Sequence, residues 1–153
     1  MSKQIILTQD YSTIVDDDLF DWLNQWKWYA KVDRKTVYAA REPAGKEILM
    51  HKLLLPCEPP LEIDHKDRNG LNNQLNNLRV ATPTQNRVNS FYKNNTSGYK
   101  GVYKNTGRWE AQIRCGSKTL YIGRFDSPEE AARIYDKKAR EIYGEFAALN
   151  FPD

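Results

Sequence analysis

The chain has 153 residues, enough for one ordinary domain or two to three small ones in series. With 40% hydrophobic and 28% charged residues, composition excludes a disordered or collagen-like chain, and a net charge of +3 is too small to diagnose a nucleic-acid partner. No run reaches the roughly 18 apolar residues that a membrane span needs, and MSKQIILTQD lacks a signal-peptide core. Cys57 and Cys115, 58 positions apart, cannot build a disulfide framework or a Cys-rich zinc site, so a soluble, reduced, cytoplasmic protein without a membrane partner is expected.

In chain order, Asp16-Asp17-Asp18 precedes Leu19, Trp22, Leu23 and Trp26, a 3–4 spacing that predicts a short amphipathic helix with acidic residues at its positive end. Strands are predicted over Trp28–Val32, Thr36–Ala40 and Glu47–Met50, broken by turns at Asp33-Arg34 and Pro43-Ala44-Gly45. The three tryptophans of this stretch are expected in a core. Residues 1–48 form a β-rich segment with no evident chemistry.

From about residue 49 to 95 the character changes. A strand candidate, Leu61–His65, leads into a loop crowded with Asn69, Asn72, Asn73, Asn76 and Asn77. A second strand follows at Leu78–Ala81, and Thr82-Pro83 opens a helix through Asn86 and Asn89. Residues 96–153 read as three strands and a helix. Turns at Asn105–Gly107 and Cys115–Ser117 separate Tyr99–Lys104, Arg108–Arg114 and Lys118–Gly123. In the middle strand Trp109, Ala111 and Ile113 alternate with Arg108, Glu110, Gln112 and Arg114. Ser127-Pro128-Glu129-Glu130 is a capping box for a helix whose apolar stripe is Ala131, Tyr135, Ala139 and Ile142, ended by Gly144. That helix should cover the Trp109 face and leave a polar, cationic face bare. Charge agrees: residues 96–124 hold six basic side chains against Glu110 alone. A solvated face would explain this equally well.

The chain has two histidines, and His51 reads as structural. His65 follows Asp64, and the pair could serve one site only where the strand ends or distorts, because neighbouring strand residues point to opposite faces. Phosphodiester hydrolysis needs a base and a cation on the phosphate. An imidazole suits the first role, and Asp64 with Asn86 offers a hard oxygen set suited to magnesium or manganese. Zinc is disfavoured, since four N/S ligands cannot be gathered. Asp64, Asn77 and Asn86 are equally the residue types of turns and caps.

The run Ile63-Asp64-His65-Lys66-Asp67-Arg68-Asn69-Gly70-Leu71-Asn72-Asn73, then Asn76–Thr82, then Gln85–Asn89, gives D-H-x11-N-x8-N and resembles the HNH endonuclease family, closest to its phage and intron-homing branch. The resemblance implies a ββα-metal fold with His65 as general base. It further implies that Asp64 and Asn86 hold one divalent cation, magnesium or manganese, and that Asn77 pins the loop to orient His65. Asn86 stands where the last His of the motif is usual, and the homing branch also uses Asn there.

A second resemblance rests on Tyr99–Val102, Trp109–Arg114, Ile122–Phe125, Glu130–Asp136 and Gly144–Phe151, which look like the plant ethylene-responsive-factor (Apetala) DNA-binding domain. It implies a three-stranded sheet laid in the major groove with the helix behind it. Arg114 matches a DNA-contacting Arg of that family and Lys100 another, whereas Thr119, Tyr121 and Tyr103 replace family Arg, Trp and Arg. Alternation puts Lys100 and Lys104 on the inward side of Val102, so they need a bulge or act from the rim.

The sequence therefore predicts an α+β protein of three segments (1–48, 49–95 and 96–153). The activity expected is that of a homing-type endonuclease on duplex DNA, acting as monomer or homodimer with no small-molecule substrate, in a bacterial cytoplasm if phage-encoded. Candidate DNA contacts are Arg68, Arg79 and Arg87 around the nuclease unit, and Lys100, Arg108, Gln112, Arg114 and Tyr121 on the sheet. The rival reading is a DNA-binding regulator without catalysis, and a weaker third is an RNA-binding protein.

Overall fold

Short strands and helices alternate along the chain. The computed structural model describes residues 1–34, 36–90 and 95–152. They fall into two compact units, Met1–Pro83 and Thr84–Asp153, each taken by itself. Among the described residues no helix is long and apolar enough to cross a membrane.

The first unit opens with a hairpin that the sequence reading missed. Strand β1 (Ser2–Ile6) pairs antiparallel with β2 (Ser12–Asp16), Ile5 opposite Thr13. Helix α1 (Asp17–Asn24) starts where Asp16 to Asp18 predicted, but stops before Trp26. Strands β3 (Tyr29–Asp33), β4 (Thr36–Arg41) and β5 (Ile48–Leu49) form the expected antiparallel sheet. The third strand is cut short because Met50 begins helix α2 (Met50–Leu54). Ile5, Leu7, Val15, Leu23, Trp28, Ala30, Ala39 and Met50 make one buried cluster. Only Trp28 of the three tryptophans lies in it. Trp26 packs at its edge under the Arg41 guanidinium, 3.9 Å from the ring, and Trp22 stays 41% exposed. The same unit contains the hairpin of β6 (Glu62–His65) and β7 (Leu78–Ala81). Helix α3 (Pro83–Asn89) follows β7 in the chain, as predicted from Thr82-Pro83.

In the second unit β8 (Val102–Asn105), β9 (Arg108–Cys115) and β10 (Lys118–Phe125) form an antiparallel sheet with β9 central. Helix α4 (Pro128–Tyr143) lies on one face, its first turn capped by the Ser127 hydroxyl, which accepts from the Glu130 amide at 3.1 Å. Val102, Ala111 and Ile113 from the sheet bury against Ala131, Ala132, Tyr135 and Ala139. Small alanines let the helix approach closely. At the junction Gly101, with φ +74°, sits where a Cβ would fall 2.1 Å from the Tyr135 ring. Asp136, also buried, accepts from the amides of Asn150 and Phe151 at 2.8 Å each and so clasps the C-terminal segment to α4.

Candidate active site

The β6–β7 register sets Asp64 opposite Arg79 and His65 opposite Leu78. Facing positions on paired strands bring side chains together. Arg79 accordingly donates Nε and Nη2 to Asp64 Oδ2 at 2.8 and 2.7 Å, in an ion pair whose side chains are only 10% and 4% exposed. Arg79, expected as a phosphate contact, is thus committed to the carboxylate of Asp64. His65 is the last residue of β6 and is buried as well, so the strand ends where the Asp64-His65 pair required it to.

The loop from 66 to 77 is shaped by amide side chains rather than by apolar packing. Asn77 Oδ1 accepts from the Asp67 amide at 3.0 Å, and Asn77 Nδ2 donates to Asp67 Oδ1 and the Asn72 carbonyl at 2.9 and 2.8 Å. Asp67 also accepts from the Asn69 amide and from Asn72 Nδ2. Asn77 therefore ties both arms of the loop that begins at His65. Gly70 seats the loop on β4: a Cβ there would fall 2.5 Å from the Val37 carbonyl oxygen and 2.7 Å from the Tyr38 ring. Arg68, with φ 66°, stands exposed on the same loop.

His65 Nε2 lies 3.4 Å from Asn73 Oδ1, Asn73 Nδ2 donates to Thr13 Oγ1 at 2.8 Å, and Thr13 Oγ1 donates to the Leu71 carbonyl at 2.8 Å. Thr13 belongs to β2, whose Ile14 also exchanges backbone hydrogen bonds with Leu71 and Asn73. Sequence reasoning passed over Asn73 and Thr13. Asn73 was one amide among many in the loop, and nothing local marks a threonine 60 positions away.

His51 was set aside as structural, yet its ring centroid lies 5.1 Å from that of His65, with Tyr38 against both at 5.3 and 6.0 Å. Its Nδ1 is buried and finds no hydrogen-bond partner among the described residues. Burial, with repulsion from His65 and Lys52, pushes His51 down to about 3. Burial also holds His65 below the ordinary imidazole value, partly countered by the Asn73 hydrogen bond and by Asp67 and Asp64. Both rings are therefore neutral near neutral pH.

Asn86, the second expected cation ligand, belongs to the second unit, where it lies on α3 beside exposed Arg87. Among the described residues no group of three or more His, Cys, Asp or Glu could hold a metal. A carboxylate such as Asp64 and an amide such as Asn86 are oxygen donors of the kind that a hard, largely hydrated cation takes. The donor chemistry fits such an ion.

In the second unit the outer sheet face carries Arg108, Gln112 and Arg114, with Tyr121 opposite Gln112 and Tyr103 opposite Glu110. Register slips between Tyr121 and Gly123, a bulge that keeps Tyr121 outward and 55% exposed while Gly123 comes to face buried Ala111. Arg108 pairs with Asp126 at 2.6 Å, and Arg124 with Glu110 at 3.4 Å. Exposed pairs of this kind are worth about 0–1 kcal/mol, so phosphates can displace them. Lys104 settles at the rim, 5.6 Å over the Trp109 ring. Lys100 precedes β8 and turns away from the strand; its Nζ donates to the carbonyls of Val88 and Ser90 at 2.5 and 2.7 Å, near the C-terminal end of α3. Arg87, Lys100 and Arg114 nonetheless line one cavity of about 650 Å³, beside Tyr103 and Tyr143.

Two known families match parts of the chain. Residues 56–88 match the HNH endonuclease family and residues 97–145 the AP2 domain. An uncharacterised HNH endonuclease of Acanthamoeba polyphaga mimivirus is 37% identical over 139 residues, 87% of this chain and 71% of that relative. Protein 3.8 of Escherichia phage T7 is 40% identical over 88 residues, 56% of this chain and 72% of its own length. Dehydration-responsive element-binding protein 2D of Arabidopsis thaliana is 47% identical over 58 residues, 36% of this chain but only 28% of that protein.

Proposed function

The chain belongs to the HNH endonuclease family and carries an AP2 domain, and from that premise we propose that it is a metal-dependent endonuclease of the homing type, held on duplex DNA by its C-terminal sheet. The observation that carries this reading is Asp64 and His65, both buried, as the last two residues of β6, ahead of a loop tied by Asn77. Asp64 and Asn86 would hold magnesium or manganese, which when bound supplies positive charge against the phosphate and the departing oxygen.

His65 receives a proton from the attacking water. The water oxygen forms its bond to phosphorus, and the bond to the 3′ oxygen breaks. A neutral imidazole is required for this, and burial keeps His65 in that form. Arg79 holds the Asp64 carboxylate in one orientation. Arg68 and Arg87, both exposed, would contact phosphates, and Arg108, Gln112, Arg114 and Tyr121 would meet base edges and backbone in the major groove. One such site per chain suits nicking of a single strand by a monomer; two chains would be needed to cut both strands at once.

The test is a supercoiled plasmid with and without magnesium or manganese, beside His65→Ala. Metal-dependent nicking that disappears in the variant, with DNA binding retained, supports the nuclease. Tight binding without nicking under any divalent ion would instead identify a DNA-binding regulator.

A further inference from the structure

We propose that the N-terminal hairpin is a working part of the nuclease site, with Thr13 and Asn73 as positioning residues that fix the orientation and proton of His65. The proposal rests on the nuclease reading and goes further, by giving a role to a segment outside the matched motif.

A backbone carbonyl only accepts, so Thr13 must donate its hydroxyl proton to the Leu71 oxygen 2.8 Å away. That leaves a hydroxyl lone pair facing Asn73, which only the amide nitrogen can satisfy, and Asn73 Nδ2 is there at 2.8 Å. Flipping the Asn73 amide would set its oxygen against the lone pair of Thr13 Oγ1. Its Oδ1 therefore faces His65, and the ring nitrogen 3.4 Å from it, Nε2, must carry the proton. A neutral ring protonated at Nε2 has its lone pair on Nδ1, which is the basic nitrogen of that tautomer. Asn73 and Thr13 are both fully buried, so water offers no substitute partner.

The backbone supports the same arrangement. Ile14 donates to the Leu71 carbonyl and accepts from the Asn73 amide, each at 2.8 Å, while Asp16 Oδ2 accepts from the Leu75 amide at 2.7 Å. Strand β2 thus acts as a template along one side of the loop, and Asn77 closes the other. A ββα unit of this size buries little core of its own, so an external strand that fixes its loop is physically reasonable.

The experiment uses the full chain and three variants: Thr13→Val, which keeps the volume and β-branching and removes the hydroxyl, Thr13→Ser, which restores it, and Asn73→Ala. Two readouts are taken after melting curves establish that each variant folds. Plasmid cleavage should fall about 10- to 100-fold in kcat for Thr13→Val and Asn73→Ala, with DNA affinity unchanged, and recover in Thr13→Ser. Nitrogen-15 NMR of His65 should show the Nε2–H tautomer in the parent and in Thr13→Ser, and a mixture in Thr13→Val. A folded Thr13→Val with the parent's turnover and tautomer overturns the proposal. A parent that cuts no DNA yet shows the Nε2–H tautomer, lost in Thr13→Val, overturns the nuclease reading while upholding the hydrogen-bond chain.

Discussion

Replacing Arg79 by Met keeps the length of the side chain and removes its charge from a carboxylate that is 4% exposed. Asp64 Oδ2 then loses two donors at 2.7 and 2.8 Å, and the nearby rings of His51 and His65 are neutral and supply no replacement charge. Breaking one side of a buried pair costs about 3–5 kcal/mol, a large share of the roughly 5–15 kcal/mol that holds an ordinary domain together. The loss should be confined to the first unit. Tryptophan fluorescence during urea unfolding reports mainly on it, since Trp22, Trp26 and Trp28 lie there and Trp109 alone in the second. Adding Asp64→Asn to Arg79→Met should recover part of the loss, because the uncompensated charge is gone. A divalent cation should raise the midpoint of Arg79→Met more than that of the parent, as the ion takes over the role of the missing guanidinium. An Arg79→Met chain within about 0.5 kcal/mol of the parent, or a double variant no more stable than the worse single one, would refute the view that this pair is structural.

The His51 ring, held down to about 3 against an ordinary 6.5, makes stability depend on pH. Between those values the unfolded chain binds a proton that the folded chain refuses, so stability rises with pH and is lost as pH falls through the window, by up to about 1.4 kcal/mol per unit. His51→Phe should flatten that part of the slope in urea melts at about pH 7 and 4.5, leaving a smaller slope of the same sign from His65; a slope unchanged in the variant would contradict it. On the sheet, Arg114→Ala should cost about 1–3 kcal/mol on the preferred duplex and relax discrimination at one base pair. Equal losses on all sequences in a binding titration would reduce Arg114 to a phosphate contact.

Much of the second unit could be read from local pattern. Alternation in β9 identified its inward and outward faces, and the Ser127 cap placed the start of α4 at Pro128. These features are set within a few residues of themselves. The bulge at Ile122 that keeps Tyr121 outward was not legible, because it depends on how β10 fits β9. Lys100 shows the limit more sharply. Its type and position suggested a DNA contact, yet its amine is held by carbonyls ten and twelve positions away.

For the nuclease unit, the motif spacing named His65, Asp64, Asn77 and Asn86, since strand, loop and helix order follow from that stretch alone. Tertiary structure decided who surrounds them. Arg79 meets Asp64 through strand register, His51 reaches His65 because α2 turns back after β5, and Thr13 reaches Asn73 across 60 residues. The hairpin of β1 and β2 escaped notice for the same reason. Ser2–Ile6 exposes all but Ile5, so its strand conformation comes from pairing with Ser12–Asp16 rather than from its own pattern. Periodicity and capping act over one or two turns of chain and are written in the residues themselves, whereas a buried hydrogen bond between distant side chains exists only once the backbone between them has been fixed.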